Sequence, residues 1–283
     1  MSFARGVAEE RCRRASGLTI ALSDIDGFLI DMDGVLYRGN QALPGMQEFL
    51  RYLQRGAIPH AFITNNAGRT PLEYAQKLTD MGAPVEAERV LTSSLVTAAH
   101  LAETSSPADR VFMIGGPGLR EALDGAGLVR TEDFTDATVV VVGIDRELTY
   151  EKLARAALAL GRGARFLGTN ADRSFPSERG IEPGAGALLA ALETACGVTP
   201  RVFGKPQPDL FHQGLRMLGT AAERTAMIGD RYETDIVGAH GVGMLTIAVT
   251  SGVGSKDELQ KRNPPPHFIF ASVLELWRAL EGA

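Results

Sequence analysis

The sequence predicts an α/β protein with a doubly wound, Rossmann-like parallel-sheet core and an inserted α/β cap domain. Short apolar runs typical of buried strands alternate with helix-like stretches along most of the 283 residues, and this alternation favours a parallel sheet flanked by helices. The polar motifs suited to chemistry fall into two clusters, residues 31–66 and 205–235. A long segment separates the two clusters, which predicts an insertion into the core.

Individual elements follow from the same patterns. Apolar runs bounded by turn-forming residues predict strands over 27–30, 60–64, 110–114, 138–143, 165–169, 225–229, 245–249 and 267–270. Helical spacing predicts helices over 45–55, 71–81, 150–160, 184–195, 208–218 and 233–239, with a further helix at the C-terminus. Pro44 and Pro71 lie near predicted helix starts, where a missing N–H costs least.

The middle segment is longer than a single strand–helix–strand crossover needs, and it has its own strand–helix alternation. We therefore predict a core formed by residues 1–94 and 198–283, with an N-terminal extension over 1–24 and a cap domain over 95–197. Ligands of such sheets bind beyond the carboxyl ends of the strands. A cap over those ends would enclose the ligand.

Composition argues against several classes of function. The net charge of −5 is spread along the chain, so nucleic acid is not the expected partner. No apolar run approaches the ~20 residues of a membrane span. Two cysteines without metal-ligand spacing are typical of free thiols in a cytoplasmic protein. Residues 1–17 have no apolar signal-peptide core, and we expect a short surface helix or a frayed arm there.

Two carboxylates, Asp31 and Asp33, follow the first of the predicted core strands. Residues two apart in a strand point the same way, so both side chains can face one site. Two anions held together need a cation or a shared proton, which indicates metal binding, acid–base chemistry or both. Taken alone, the motif fits an Asp-Gly turn with solvated carboxylates equally well.

The same pattern occurs seven residues earlier, at Asp24-Ile25-Asp26-Gly27. Either copy could be the site. We favour the second copy because it follows a strand-like run directly and leads into a short predicted hairpin. The first copy then becomes the turn that enters the strand.

Two further motifs, Thr64-Asn65-Asn66 and Gly204-Lys205-Pro206, also follow strand-like runs. The hydroxyl of Thr64 and the backbone N–H groups of Asn65 and Asn66 could hold a phosphate, although taken alone an Asx-type turn is the commoner structure for such residues. Lys205 could neutralise a phosphoryl oxygen, although most lysines are solvated surface residues.

Asp230 and Asp235 follow another strand-like run. Asp230 at the strand end suits a hard cation such as Mg²⁺, which binds oxygen ligands. Asp235, one helical turn further on, could orient Lys205 or a metal-bound water. The alternative for Asp235 is a charge that complements the helix dipole.

These motifs in this order resemble the haloacid dehalogenase superfamily, and most closely its NagD / p-nitrophenylphosphatase-like branch. The matching stretches are Asp31-Met32-Asp33-Gly34-Val35-Leu36, Thr64-Asn65-Asn66, Gly204-Lys205-Pro206, Gly229-Asp230-Arg231 through Thr234-Asp235, and Pro183-Gly184-Ala185-Gly186-Ala187. The resemblance covers roughly residue 28 to the C-terminus.

The resemblance implies hydrolysis of phosphate monoesters through an aspartyl-phosphate. It implies Asp31 as the nucleophile and Asp33 as the general acid and base. It further implies that Mg²⁺ is bound by Asp31, the backbone carbonyl of Asp33 and Asp230. Asp235 would orient these groups without binding the metal itself. Thr64, Asn65, Asn66 and Lys205 would hold the phosphate oxygens.

The predicted cap would select the substrate. Arg173 could meet a second anionic group, and Asn170 could hydrogen-bond a substrate edge, with Asp172 in the same loop; an ordinary surface turn is the more frequent structure for such a sequence. We expect a small phosphorylated metabolite as substrate: a nucleoside monophosphate, a sugar phosphate or a phosphorylated cofactor. A phosphotransferase using the same intermediate and a non-catalytic phospholigand sensor are the alternatives. An exposed cap face could support a homodimer.

Overall fold

The computed structural model describes residues 11–13, 19–177, 179–252 and 254–282. Their contacts divide the chain into two compact units. The first comprises the residues up to Phe62, Leu78–Val85 and the residues from Phe211 onward; the second comprises Ile63–Lys77 and Glu86–Leu210. The division predicted from the sequence, with a cap at 95–197, stays a prediction.

Strands and helices are numbered in chain order. The strands are β1 Arg11–Arg13, β2 Thr19–Ala21, β3 Gly27–Ile30, β4 Tyr37–Arg38, β5 Gln41–Ala42, β6 His60–Thr64, β7 Val90–Thr92, β8 Val111–Ile114, β9 Val139–Val142, β10 Arg165–Gly168, β11 Ser174–Ser177, β12 Gly180–Pro183, β13 Arg201–Val202, β14 Thr225–Gly229, β15 Leu245–Val249 and β16 Phe268–Phe270. The helices are α1 Met46–Arg55, α2 Pro71–Asp80, α3 Ser93–Thr104, α4 Pro117–Gly125, α5 Tyr150–Gly161, α6 Ala185–Cys196, α7 Pro208–Leu218, α8 Val237–Gly241, α9 Lys256–Gln260 and α10 Val273–Glu281. Within the described ranges, no helix is long and apolar enough to cross a lipid bilayer.

The first unit is built on a parallel sheet. Its strands lie in the order β16-β15-β14-β3-β6, and each neighbouring pair is parallel. Strands β3, β14 and β15 are buried along their whole length, as expected for strands covered on both faces. This confirms the predicted Rossmann-like core.

The direction of winding reverses between β3 and β14. From β3 the chain adds β6 on one side, and it later places β14, β15 and β16 on the other. Such a switch point leaves a crevice beyond the carboxyl ends of the two central strands. Ile30 lies opposite Ile228, and the N–H of Asp31 donates to the carbonyl of Ile228 at 2.9 Å. The residues that follow β3 and β14 therefore meet at one edge.

The second unit has its own parallel sheet, in the order β13-β10-β9-β8. The four valines of β9 are fully buried. Side chains from β8, β10 and α6, among them Phe112, Phe166 and Leu192, complete one apolar core. An antiparallel hairpin, β11–β12, follows β10.

One sequence prediction is corrected at the N-terminus. A short surface helix or a frayed arm was expected over residues 1–17, of which the structure describes Arg11–Arg13. These three residues form a strand that pairs antiparallel with β2, with Cys12 opposite Ile20. The rest of that prediction, residues 1–10 and 14–17, lies outside the described residues. A three-residue strand is too short to show a periodic pattern.

The helix predicted over 233–239 is also different in the structure. Tyr232–Ile236 forms a turn of π-helix, and α8 continues from it. Three of the described helices, α3, α4 and α9, were not predicted. Their starts carry local signals. The Thr92 hydroxyl accepts the Leu95 N–H at 3.3 Å, Pro117 occupies the first turn of α4, and Ser255 and Glu258 form a capping box at the start of α9.

Acid should weaken the packing of α8 through His240. Its Nε2 lies 3.1 Å from the Pro265 carbonyl oxygen, its ring stacks at 4.8 Å on His267, and burial lowers the pKa of His240. The unfolded chain, with a histidine pKa of about 6.5, therefore takes up the proton first. Stability is fully present above that value and is lost as pH falls below it.

We expect Tm to fall between about pH 7.5 and 5.5, and the fall to be smaller in His240→Gln. Replacing the exposed His212 by Gln is the matched control and should leave the pH dependence of Tm unchanged. An equal fall in wild type and His240→Gln would contradict this assignment. Scanning fluorimetry across the pH range provides the measurement.

Candidate active site

The loop after β3 separates the first two carboxylates. Asp31 is buried, with 9% of its surface exposed, whereas Asp33 is exposed. The N–H of Gly34 donates to the Tyr37 carbonyl at 2.8 Å. This closes a tight turn before the β4–β5 hairpin, which the sequence predicted. The turn fixes the place where Asp31 leaves the sheet.

Three acidic side chains meet beyond the switch point. Among the described residues, Asp31, Asp230 and Asp235 each present a carboxylate oxygen within 4.8 Å of the others. All three are buried: 9%, 4% and 1% of their surfaces are exposed. Three buried anions at this separation repel strongly unless a cation or protons compensate them. The all-oxygen donor set fits a hard divalent cation.

Asp235 is fixed by its own turn. Its Oδ2 accepts the Arg231 N–H at 3.1 Å and its Oδ1 accepts the Thr234 hydroxyl at 3.2 Å. The π-helical turn brings this side chain back towards Asp230, at the end of β14. Because both of its oxygens already accept hydrogen bonds, Asp235 is suited to orienting a metal ligand rather than to binding the cation itself.

Backbone packs directly against these carboxylates at two glycines. Gly34 has φ of +88°, a conformation that favours glycine, and a Cβ there would overlap the Asp230 carboxylate. A Cβ on Gly252, in the loop after β15, would overlap the same carboxylate. The Ser251 hydroxyl donates to the Gly34 carbonyl at 2.8 Å, and Arg38 Nη2 donates to the Ser251 carbonyl at 2.6 Å. The loop is thereby tied to the turn after Asp31.

The metal site that the resemblance implies makes Gly252→Ala a test of metal binding. The added methyl would displace the Asp230 carboxylate. With Mg²⁺ on Asp230, as the resemblance implies, the Mg²⁺ concentration for half-maximal phosphate release should rise roughly 10-fold or more. The Mg²⁺-dependent rise in Tm should shrink in parallel.

Gly241→Ala is the matched control, because a Cβ there meets no atom within 4 Å. It should keep the metal dependence of the wild type. Unchanged metal dependence in Gly252→Ala would contradict the assignment of Asp230. Titration of Mg²⁺ in the activity assay and in scanning fluorimetry gives both readouts.

The earlier Asp-x-Asp-Gly copy has local roles at the start of β3. Asp24 Oδ2 accepts the Ala21 N–H at 2.9 Å, within a single 3₁₀ turn. Arg224 Nη2 donates to Asp26 Oδ1 at 2.8 Å, and this hydrogen bond lowers the pKa of Asp26. Both carboxylates precede β3, whereas Asp31 follows it.

In the second unit, the Thr64-Asn65-Asn66 turn closes on itself. The Thr64 hydroxyl oxygen accepts the Asn66 N–H at 3.1 Å, and Asn66 Oδ1 accepts the Gly68 N–H at 3.0 Å. The Asn66 side chain therefore forms the Asx-type turn that was the alternative interpretation. Because the Thr64 oxygen already accepts, its own O–H can be donated to a ligand.

Lys205 is tied to Asn65. Asn65 Oδ1 accepts the Lys205 N–H at 2.7 Å, and Asn65 Nδ2 donates to the Lys205 carbonyl at 2.9 Å. Lys205 is 3% exposed, so it is not the solvated surface lysine that the alternative required. The structure thus brings two of the predicted motif residues together within this unit.

The loop after β10 is only partly a surface turn. Asn170 is 3% exposed; its Nδ2 donates to the Asn65 carbonyl at 2.8 Å, and its Oδ1 accepts the Asp172 N–H at 3.1 Å. Its side-chain amide thus has protein partners at both ends. Arg173 is exposed.

Comparison with known proteins identifies the family. The haloacid dehalogenase-like hydrolase model matches residues 28–129, and a second model, HAD-hydrolase-like, matches residues 202–276. The acid sugar phosphatase of Staphylococcus saprophyticus is 42% identical over 92% of this chain and 100% of its own length. The chain belongs to the haloacid dehalogenase-like (HAD) hydrolases. The two matched ranges contain all four predicted core motifs.

Solved structures place this HAD hydrolase among the NagD-like proteins. NagD from Escherichia coli matches with a TM-score of 0.83 and 32% identity, over 89% of this chain and 98% of that one. Glycerol phosphate phosphatase from Mycobacterium tuberculosis, in complex with magnesium, matches with a TM-score of 0.83 and 34% identity, over 91% of this chain and 76% of that one. The resemblance inferred from the motifs is confirmed, and this HAD hydrolase is a phosphatase.

Sequence reasoning missed residues that hold the phosphatase motifs in place. These are Gly252, Ser251, Arg38 and Ser93. The Ser93 hydroxyl donates to the Asn65 carbonyl at 2.7 Å. A Thr-Ser-Gly turn directly after the buried strand β15 was a usable signal for the first two, because it lies at the same sheet edge as Asp31. Nothing in the local sequence marks Arg38 or Ser93.

Proposed function

We propose that this hydrolase is a Mg²⁺-dependent phosphatase that releases phosphate from sugar phosphates and related small monoesters through an aspartyl-phosphate on Asp31. The buried group of Asp31, Asp230 and Asp235 at the switch point carries the proposal. The names of the two phosphatase relatives, acid sugar phosphatase and glycerol phosphate phosphatase, support the substrate class.

Mg²⁺ would be held by the carboxylates of Asp31 and Asp230 and by the backbone carbonyl of Asp33, with Asp235 supporting them. When bound, the cation neutralises charge on the carboxylates and on the phosphoryl oxygens. The buried, all-oxygen donor set supports this assignment.

Two aspartates carry the chemistry in this proposal. A carboxylate oxygen of Asp31 attacks phosphorus in line while the bond to the leaving oxygen breaks, and protonated Asp33 gives its proton to that oxygen. Asp33 then accepts a proton from the water that attacks the same phosphorus. The bond between phosphorus and Asp31 breaks, and inorganic phosphate leaves. An exposed acid at position 33 can exchange its proton with incoming water, which suits both roles.

Thr64, Lys205 and the backbone N–H of Asn65 are assigned to the phosphate oxygens. The donor geometry of Thr64 and the burial of Lys205 support this. Preorganised donors of this kind contribute ~3–4 kcal/mol each in charge-stabilising sites. The sequence also predicted a phosphate contact at Asn66, but the Asn66 N–H donates to the Thr64 hydroxyl oxygen at 3.1 Å, so it is not assigned to the phosphate.

Residues 95–197 are assigned to a substrate-selecting cap, with Arg173 as the candidate for a second anionic group of the substrate. The protein is further proposed to act in the cytoplasm on small metabolites rather than on nucleic acid or membranes, and to form a homodimer through the exposed cap face. The net charge of −5 supports small metabolites over nucleic acid as the substrate class.

A screen of phosphorylated metabolites with Mg²⁺ tests the proposal. We expect sugar phosphates to release phosphate faster than nucleoside monophosphates, and EDTA to stop the reaction. Added acceptor alcohols should not divert phosphate to new esters; efficient transfer would favour the phosphotransferase alternative. No release from any sugar phosphate would contradict the substrate class.

A further inference from the structure

We infer that Asn65 is a positioning residue that places the Lys205 ammonium, rather than a residue whose side chain contacts the substrate. The inference rests on the proposed function, in which Lys205 holds phosphate oxygens. It gives a specific role to a residue that the motif alone assigns to phosphate binding.

The amide of Asn65 contacts both polar backbone groups of Lys205. The contacts measure 2.7 Å from the Lys205 N–H and 2.9 Å to the Lys205 carbonyl. This pairing resembles that of two residues in a β-ladder, and it fixes the backbone from which the lysine side chain extends. A lysine has a flexible four-carbon stem, so a fixed backbone reduces the positions that its ammonium can reach.

The side chain of Asn65 has little capacity left for a ligand. One N–H of its amide donates to Lys205 and the other to Asp172 Oδ1 at 3.3 Å, while its Oδ1 accepts from Lys205. An asparagine amide has only two N–H donors. Donation to a phosphate oxygen would therefore break one of these contacts.

Asn65 is itself held rigidly. Its carbonyl accepts hydrogen bonds from the Ser93 hydroxyl at 2.7 Å and from Asn170 Nδ2 at 2.8 Å. A Cβ on Gly204 would lie 2.7 Å from Asn65 Oδ1 and 2.8 Å from the Thr169 carbonyl oxygen. Only glycine lets the lysine loop approach this closely. The loops at 64–66, 169–172 and 204–206 thus form one fixed support.

A double-mutant cycle tests the inference, using the inhibition constant of inorganic phosphate and kcat/KM for p-nitrophenyl phosphate. Asn65→Ala should weaken phosphate binding roughly 10- to 100-fold, the range for loss of a supporting hydrogen bond. Lys205→Ala should weaken it at least as much. In the Lys205→Ala background, Asn65→Ala should add no more than about twofold, because the residue acts through the lysine.

Additive losses would overturn the inference while leaving the role of Lys205 intact. Full phosphate affinity in Lys205→Ala would instead contradict the proposed function. Asn65→Ser provides a second variant if Asn65→Ala fails to fold; it adds no charge beside Asp172 or the phosphate and should show the same non-additivity.

Thr97→Val is the matched control for general loosening. It removes the buried hydrogen bond from the Thr97 hydroxyl to the Ser93 carbonyl, at 2.8 Å within α3, and leaves the hydrogen bonds of Asn65 in place. We expect a lower Tm but a phosphate inhibition constant within about threefold of the wild type. A loss of phosphate binding equal to that of Asn65→Ala would overturn the inference.

Discussion

Replacing Asp31 by asparagine is expected to reduce phosphate release at least about 10⁴-fold, the scale on which hydrolases respond to loss of the nucleophile. The amide has almost the same shape as the carboxylate, so the backbone hydrogen bond from residue 31 to Ile228 should persist. The amide lacks the anionic oxygen that must attack phosphorus. Release of p-nitrophenol and of phosphate, measured with saturating Mg²⁺, checks the result.

The duplicated motif offers a matched control for this variant. Asp24→Asn removes a carboxylate seven residues earlier that caps a 3₁₀ turn through the Ala21 N–H. It should change stability slightly and keep turnover within about threefold of the wild type. Activity retained in Asp31→Asn but lost in Asp24→Asn would transfer the site to the first copy.

Replacing Asp33 by asparagine should have an effect that depends on the leaving group. A sugar leaves as a poorly stabilised alkoxide and needs a proton, so we expect sugar phosphates to lose roughly 10²- to 10⁴-fold in turnover. The p-nitrophenolate anion leaves without protonation, so formation of the aspartyl-phosphate should be affected much less. Hydrolysis of the intermediate still lacks its base.

Asp33→Asn should therefore release one equivalent of p-nitrophenol rapidly and then turn over slowly. Rapid-quench measurements with p-nitrophenyl phosphate and a sugar phosphate reveal both phases. Asp257→Asn is the control. Asp257 is exposed and lies in the first turn of α9, and this variant should turn over both substrates at the rate of the wild type. Equal losses for both substrates, without a burst, would contradict the assignment of Asp33.

The sequence was sufficient to predict most strands of the core sheet, although not β7. The strands β3, β6, β14 and β15 are continuous apolar runs bounded by polar residues, which is the signal of a strand buried on both faces. The order of these strands in the sheet was not predicted. The resemblance to the haloacid dehalogenase superfamily implied that Asp31 and Asp230 bind one metal ion, and the fold brings both residues to the ends of the neighbouring strands β3 and β14.

The contacts that support the site were not predictable, because they join positions far apart in the chain. The contact of Arg38 with Ser251 spans 213 positions, and that of Asn65 with Lys205 spans 140. No local period or propensity encodes such pairs. The duplicated Asp-x-Asp-Gly pattern left both copies open in the sequence. The apolar run before Asp31 favoured the second copy, and in the fold this copy follows β3.

The most direct test of the account is to locate the phosphoryl group on the enzyme. Asp33→Asn would be mixed with p-nitrophenyl phosphate and Mg²⁺, quenched in acid and reduced with borohydride, which converts an aspartyl-phosphate into homoserine. Trypsin should release residues 15–38 of this variant as one peptide that contains Asp24, Asp26 and Asp31, with asparagine at position 33, so fragment-ion sequencing must assign the position. The account predicts homoserine at position 31 alone. Homoserine at position 24, or burst turnover with no modified aspartate, would contradict it.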